Sequence, residues 1–114
     1  MPEMSGLRGK PKGEIFEVLK DYLAQMGYER YRRIITTSFG VVPYVLAKGD
    51  KKYVAEVYVR PSSIPPIVGR FICFSQEYPE LGRVVILLNK PPDYARETLI
   101  GLVNPILIEA WSFF

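Results

Sequence analysis

From Lys52 to Arg60 the side chains alternate as a half-buried strand requires. Tyr53, Ala55, Val57 and Val59 fall on one face, and Val54, Glu56, Tyr58 and Arg60 on the other. A second apolar run, Val41 to Ala47, precedes this strand across a short turn at Gly49-Asp50, and the two predict an antiparallel hairpin. Pro43 interrupts the first strand of the pair. Proline has no N–H to give to a ladder, so Pro43 belongs at a sheet edge or a bulge. Upstream, Tyr28 to Thr37 reads as a further strand, strongest over Arg33 to Thr37, with Ser38-Phe39-Gly40 turning the chain into the hairpin.

Helical spacing takes over on either side. Ile15, Val18, Leu19, Tyr22, Leu23 and Met26 form one stripe, so Glu14 to Met26 is a helix. Glu14 and Glu17 sit in its first turn, where the helix dipole favours negative charge, and Gly27 suits its stop. Pro61 to Pro66 is a stiff connector into a second helix that runs to about Glu77, with Ile67, Phe71 and Phe74 on one side. Arg83 to Leu88 is an unbroken apolar run, which predicts a central strand covered on both faces. Pro91-Pro92-Asp93 opens a third helix to about Val103, and Ile106 to Phe113 reads as a last strand. The order is α-β-β-β-α-β-α-β, an α/β (α+β) fold with a mixed sheet flanked by helices. Residues 1–12 are expected to be a flexible basic arm, and 13–114 a single domain.

Composition narrows the chemistry. The chain has 114 residues, no histidine and one cysteine, Cys73. Serine–histidine and cysteine–histidine catalysis are therefore excluded, a zinc site is disfavoured, and an internal disulfide is impossible. Cys73 lies in an apolar run and reads as an inert core thiol. No cofactor motif is present, including any glycine-rich phosphate loop. No apolar run reaches the roughly 20 residues of a membrane span, and the polar, glycine-containing start carries no secretory signal. A cytoplasmic protein is the expectation. The net charge of +3 permits nucleic acid without requiring it. Lysines and arginines gather at Arg8, Lys10 and Lys12, at Arg30, Arg32 and Arg33, and at Lys48, Lys51 and Lys52 around the hairpin turn. Three solvated loops would give the same pattern.

Glu56 is the residue that does not fit its surroundings. A carboxylate in an apolar strand costs several kcal/mol if it is buried without a partner. Either it reaches water, or it is held by a neighbour on its own strand face, the Tyr58 hydroxyl or the Arg60 guanidinium.

Two stretches carry a resemblance. Lys12-Gly13-Glu14-Ile15-Phe16-Glu17 looks like an opening KGxxxE with its glutamate on the first helix, and Gly49 to Arg60, GDKKYVAEVYVR, looks like GxKKYxxxExKxR. With the element order, they resemble the PD-(D/E)xK nuclease superfamily, and within it the archaeal Holliday junction resolvases. The resemblance covers about Lys12 to Asn89 and implies a restriction-endonuclease-like sheet, a homodimer and branched-DNA binding. It also implies a divalent-metal site, placing the helix glutamate on Glu17, the metal-ligating aspartate on Pro43, the ExK glutamate on Glu56 and the catalytic lysine on Tyr58. Proline has no side-chain oxygen for a metal, and a neutral phenol does not replace an ammonium beside a phosphate. The expectation is therefore a catalytically inactive, resolvase-like domain with no metal. It would bind nucleic acid through Lys10, Lys12, Lys51, Lys52, Arg60 and Arg70, or bind a DNA-repair or recombination partner. Two alternatives stand beside it: a purely structural dimeric interaction module, and a nuclease with relocated ligands. Abundant tyrosine and proline and the single cysteine also suit a thermophile. Trp111 is expected in the core, and Phe114 at an interface or a loose end.

Overall fold

The computed structural model describes the backbone of residues 12–32, 35–37, 40–42 and 45–112. The chain forms helix α1 (Lys12–Gln25), strands β1 (Glu29–Arg32), β2 (Ile35–Thr37), β3 (Gly40–Val42), β4 (Val45–Lys48) and β5 (Lys51–Tyr58), helix α2 (Ile64–Glu77), strand β6 (Gly82–Leu87), helix α3 (Asp93–Val103) and strand β7 (Ile106–Ile108). The main sheet has the spatial order β1-β4-β5-β6-β7. Strand β4 is antiparallel to both β1 and β5, while β5, β6 and β7 run parallel. Strands β2 and β3 form a separate antiparallel pair. The mixed α/β architecture expected from the sequence is present, but five strands instead of the expected three separate α1 from α2, because β2 and β3 form their own pair between β1 and β4.

Two layers of core follow from the alternation in β5 and β6. Tyr53, Ala55, Val57, Val84 and Ile86 pack with Ile15, Phe16, Leu19 and Leu23 of α1 on one face. Val54, Tyr58, Val85 and Leu87 pack with α2 and α3 on the other. Strand β6 is covered on both sides, which is why it is apolar at every position from Val84 to Leu87. Helix α1 ends as its glycine predicts. Gly27 has φ +87°, its N–H donates to Ala24 O, and the Tyr28 N–H donates to Leu23 O, a Schellman closure. Asn104, in the left-handed region at φ +44°, ends α3 in a similar way. Among the described residues, no helix is long and apolar enough to cross a membrane.

Several boundaries differ from expectation. Lys12 belongs to α1 instead of the arm, α1 begins two residues before the expected Glu14, and residues 1–11 lie outside the described residues. The long strand expected over Tyr28 to Thr37 is two strands in two different sheets, and Val41 to Ala47 divides in the same way. The linking positions, Pro43 among them, lie outside the described residues. Helix α2 starts at Ile64, so Pro65 and Pro66 occupy its first turn, while Pro61–Ser63 form a short 3-10 turn. There Ser63 Oγ accepts from the Val59 and Arg60 N–H groups, bending the chain out of β5. The last strand stops at Ile108. Local bonding takes over beyond it: the Ser112 hydroxyl and N–H both donate to Glu109 O, and residues 110–112 coil into a 3-10 turn. Trp111 is half-buried beside the α2–α3 core, and Phe113 and Phe114 lie outside the described residues.

Gly82 shows how tightly the sheet meets the aromatic layer. A Cβ there would stand 2.3 Å from Tyr53 Cδ1. Gly82→Ala therefore forces the Tyr53 ring to move, at an expected cost of about 1–3 kcal/mol. Denaturant unfolding with an unchanged slope and a lowered midpoint is the expected result; an unchanged midpoint would show that the ring has room.

Candidate functional site

The Glu56 carboxylate is fully buried, with 0% of its surface exposed. It projects from β5 toward the α2–α3 layer, between Val54 and Tyr58 of the same face. Its partner is Arg70 of α2. Arg70 Nε donates to Oε2 at 2.9 Å and an Arg70 terminal N–H donates to Oε1 at 2.8 Å, a bidentate fork that engages both oxygens. The guanidinium side chain keeps 36% of its surface in water. This fork comes from α2 and not from Tyr58 or Arg60, the partners expected on the same strand. Arg60 lies past the end of β5, exposed, where the chain turns into α2.

Tyr58, at the position the resemblance gives to the catalytic lysine, is 1% exposed and packs in the helix layer with Ile64, Ile67 and Phe71. Burial raises its pKa above the ordinary tyrosine value, and Tyr94 nearby raises it further, so the side chain is a neutral phenol at physiological pH. The strand therefore carries a clamped carboxylate and a buried phenol at the two positions that the resemblance assigns to a metal ligand and an ammonium.

Glu17 is not part of this cluster. It is exposed on α1, which covers the opposite face of the sheet from the Glu56 side chain. There it lines a groove of about 410 Å³ with Phe16, Lys20, Leu23, Tyr28, Glu29 and Leu46. Among the described residues, no group of three or more acidic, cysteine or histidine side chains converges on a metal position.

The expected nucleic-acid residues separate in the same way. Lys10 lies outside the described residues, and so does the side chain of Lys12. Lys51 and Lys52 stand at the start of β5 beside the hairpin turn, and Arg60 lies beyond its far end, roughly 30 Å away at strand rise. The positive charge of Arg70 is matched by Glu56, so it is a structural cation first. This role was missed in the sequence; the one signal for it is that Arg70, three residues after Ile67 and four before Phe74, flanks the apolar stripe of α2. Arg83 is also used internally, donating to the α3 carbonyl of Val103 and to Ser75 Oγ. Arg96 forms an ion pair with Glu109. Cys73 is a free thiol, half-buried instead of fully buried.

Two outcomes follow. Arg70→Met leaves the buried Glu56 charge without its guanidinium and should destabilise the fold by about 3–5 kcal/mol, whereas the double change Glu56→Leu with Arg70→Met should come within about 1 kcal/mol of the parent, as chemical denaturation would report. Burial raises the pKa of Tyr28 as well as that of Tyr58. The folded chain holds these phenolic protons more tightly than the unfolded one. Their contribution is thus intact below the ordinary tyrosine value near 10 and is lost as pH rises past it. Alkaline unfolding coincident with late tyrosinate absorbance is the expected signature.

Searches against protein-family models, curated proteins and solved structures found no match to this chain.

Proposed function

We propose that this chain is a catalytically inactive, resolvase-like domain that binds nucleic acid through phosphate contacts and cuts nothing. The observation that carries the reading is the Glu56–Arg70 clamp. A hard divalent ion takes carboxylate oxygens together with waters and substrate phosphate. Both Glu56 oxygens are already engaged by a guanidinium, and the residue has no exposed surface. Tyr58 supplies no positive charge for a scissile phosphate. The element order and the mixed sheet support the restriction-endonuclease-like description. The pair of glutamates that a relocated metal site would need, Glu17 and Glu56, is attached to opposite sides of the sheet, which weighs against a surviving nuclease. A reducing cytoplasm suits the free thiol.

A second reading, a dimeric interaction module without nucleic acid, is favoured by one feature. Strand β7 is an edge strand of three apolar residues, Ile106-Leu107-Ile108, with Ile106 43% exposed, and Leu102 of the preceding helix is 60% exposed. Unprotected apolar edges invite pairing, and homodimerisation is compatible with either reading.

The test is a four-way DNA junction assayed twice. Mobility shift without metal should show binding that weakens steeply between low and moderate salt. Incubation with Mg²⁺ or Mn²⁺ should give no cleavage. Metal-dependent cleavage that Glu56→Gln abolishes would overturn the inactive-site reading. Absence of any shift at low salt would move the function to a protein partner.

A further inference from the structure

The β4–β5 hairpin tip holds two lysines in an arrangement that folding alone does not favour. Lys48 and Lys51 are direct register partners flanking the two-residue loop Gly49-Asp50. Like charges directly across an antiparallel pair are destabilising. They are nevertheless seated. Lys48 Nζ lies over the Tyr28 ring at 5.0 Å from its centroid, and Lys51 Nζ lies over the Tyr53 ring at 5.9 Å. The two rings meet edge to face with centroids 5.7 Å apart. Both tyrosines are buried, so the rings serve as a fixed floor beneath the ammonium groups.

Three glycines make the arrangement possible. Gly49 has φ +62°, with Asp50 outside the positive-φ region, the pattern of a type II′ hairpin that places its flanking residues side by side. Gly27, at φ +87°, sits against the Lys48 side chain, where a Cβ would be 3.4 Å from Lys48 Cε. Gly82 leaves the space that the Tyr53 ring occupies. The carboxylates at this end of the sheet are Asp50 in the loop, Glu29, which neighbours Lys48 through its register partner Ala47, and Glu80 before β6. Among the described residues, neither Lys48 nor Lys51 forms an ion pair with any of them.

We propose that Lys48 and Lys51, held on the Tyr28–Tyr53 pair, form a preorganised, sequence-independent site for the phosphodiester backbone of a nucleic acid. The site rests on the nucleic-acid reading above and gives it a location. It lies at the hairpin tip, away from Arg60 and away from the clamped Arg70. A lysine already ordered over an aromatic face loses less side-chain freedom on meeting a phosphate. A bound phosphate also relieves the repulsion between the paired ammonium groups. The contact is to backbone alone, so it contributes affinity and salt dependence and no sequence preference.

The experiment measures affinity for one fluorescent DNA duplex as a function of salt. It compares the parent chain, the double variant Lys48→Gln with Lys51→Gln, the double variant Lys48→Arg with Lys51→Arg, and Arg60→Gln. The expected result is a loss of about tenfold or more in the glutamine pair, with the log–log salt slope reduced by about 2. The arginine pair should bind nearly as the parent does, and Arg60→Gln should change little. Thermal unfolding of each variant guards against misfolding, and these exposed changes should leave it nearly unaltered. If the glutamine pair binds like the parent while Arg60→Gln weakens binding, the hairpin site is wrong and nucleic-acid binding still stands. If the parent chain binds no DNA at low salt, both are wrong.

Discussion

The bidentate pairing of Glu56 with Arg70 is the constraint around which the helix-layer half of the molecule is arranged. A carboxylate with no exposed surface in the central part of a sheet is tolerable only with a strong, well-aligned partner. That partner has to arrive from outside the strand, so α2 must cross β5 with Arg70 over Glu56 while Ile67, Phe71 and Phe74 fill the space on either side. The Ser63 turn that leads the chain out of β5 and the closure of Leu88 N–H on Tyr58 O hold the end of the strand next to that crossing. Arg83, donating to both Ser75 of α2 and the last carbonyl of α3, ties the far ends of the two helices to β6.

This arrangement is the physical basis of the proposal that the domain is catalytically inactive. A metal site keeps its ligands reachable by water and substrate, and a general-base lysine must be charged near a phosphate. Here the Glu56 carboxylate is buried and paired with a side chain of the same protein, and Tyr58, two residues along, is packed in the core. The contact proposed for an external partner lies away from this cluster, at the hairpin tip.

Much of the architecture was legible because β5 and β6 carry unambiguous patterns. The alternation from Tyr53 to Val59 assigned each residue to the face it occupies, and the unbroken run after Arg83 announced a strand covered on both sides. Gly27 marked the end of α1 through backbone geometry that few other residues adopt. The partner of Glu56 was harder to find, since it is 14 residues away and depends on how α2 crosses the sheet. Local reasoning therefore favoured Tyr58 or Arg60 on the same strand. The resemblance also assigned Glu17 and Glu56 to one site from two separate motifs, yet the sheet separates them, because a motif fixes order along the chain and not the face of a sheet. The tyrosine floor under Lys48 and Lys51 joins residues from three separate segments, and only the turn lysines were visible in advance. The last strand was overextended because ILIEAWSF is apolar enough for a strand, while the turn at Glu109 to Ser112 is set by local hydrogen bonds.

The most direct test of the clamp is paramagnetic broadening of backbone NMR signals by millimolar Mn²⁺. If Glu56 belongs to Arg70, the signals of Val54 to Tyr58 and of Arg70 keep their widths while exposed carboxylates such as Asp50 broaden weakly and nonspecifically. Selective broadening centred on Glu56, lost in Glu56→Gln, would show that the carboxylate is a metal ligand and would contradict the account.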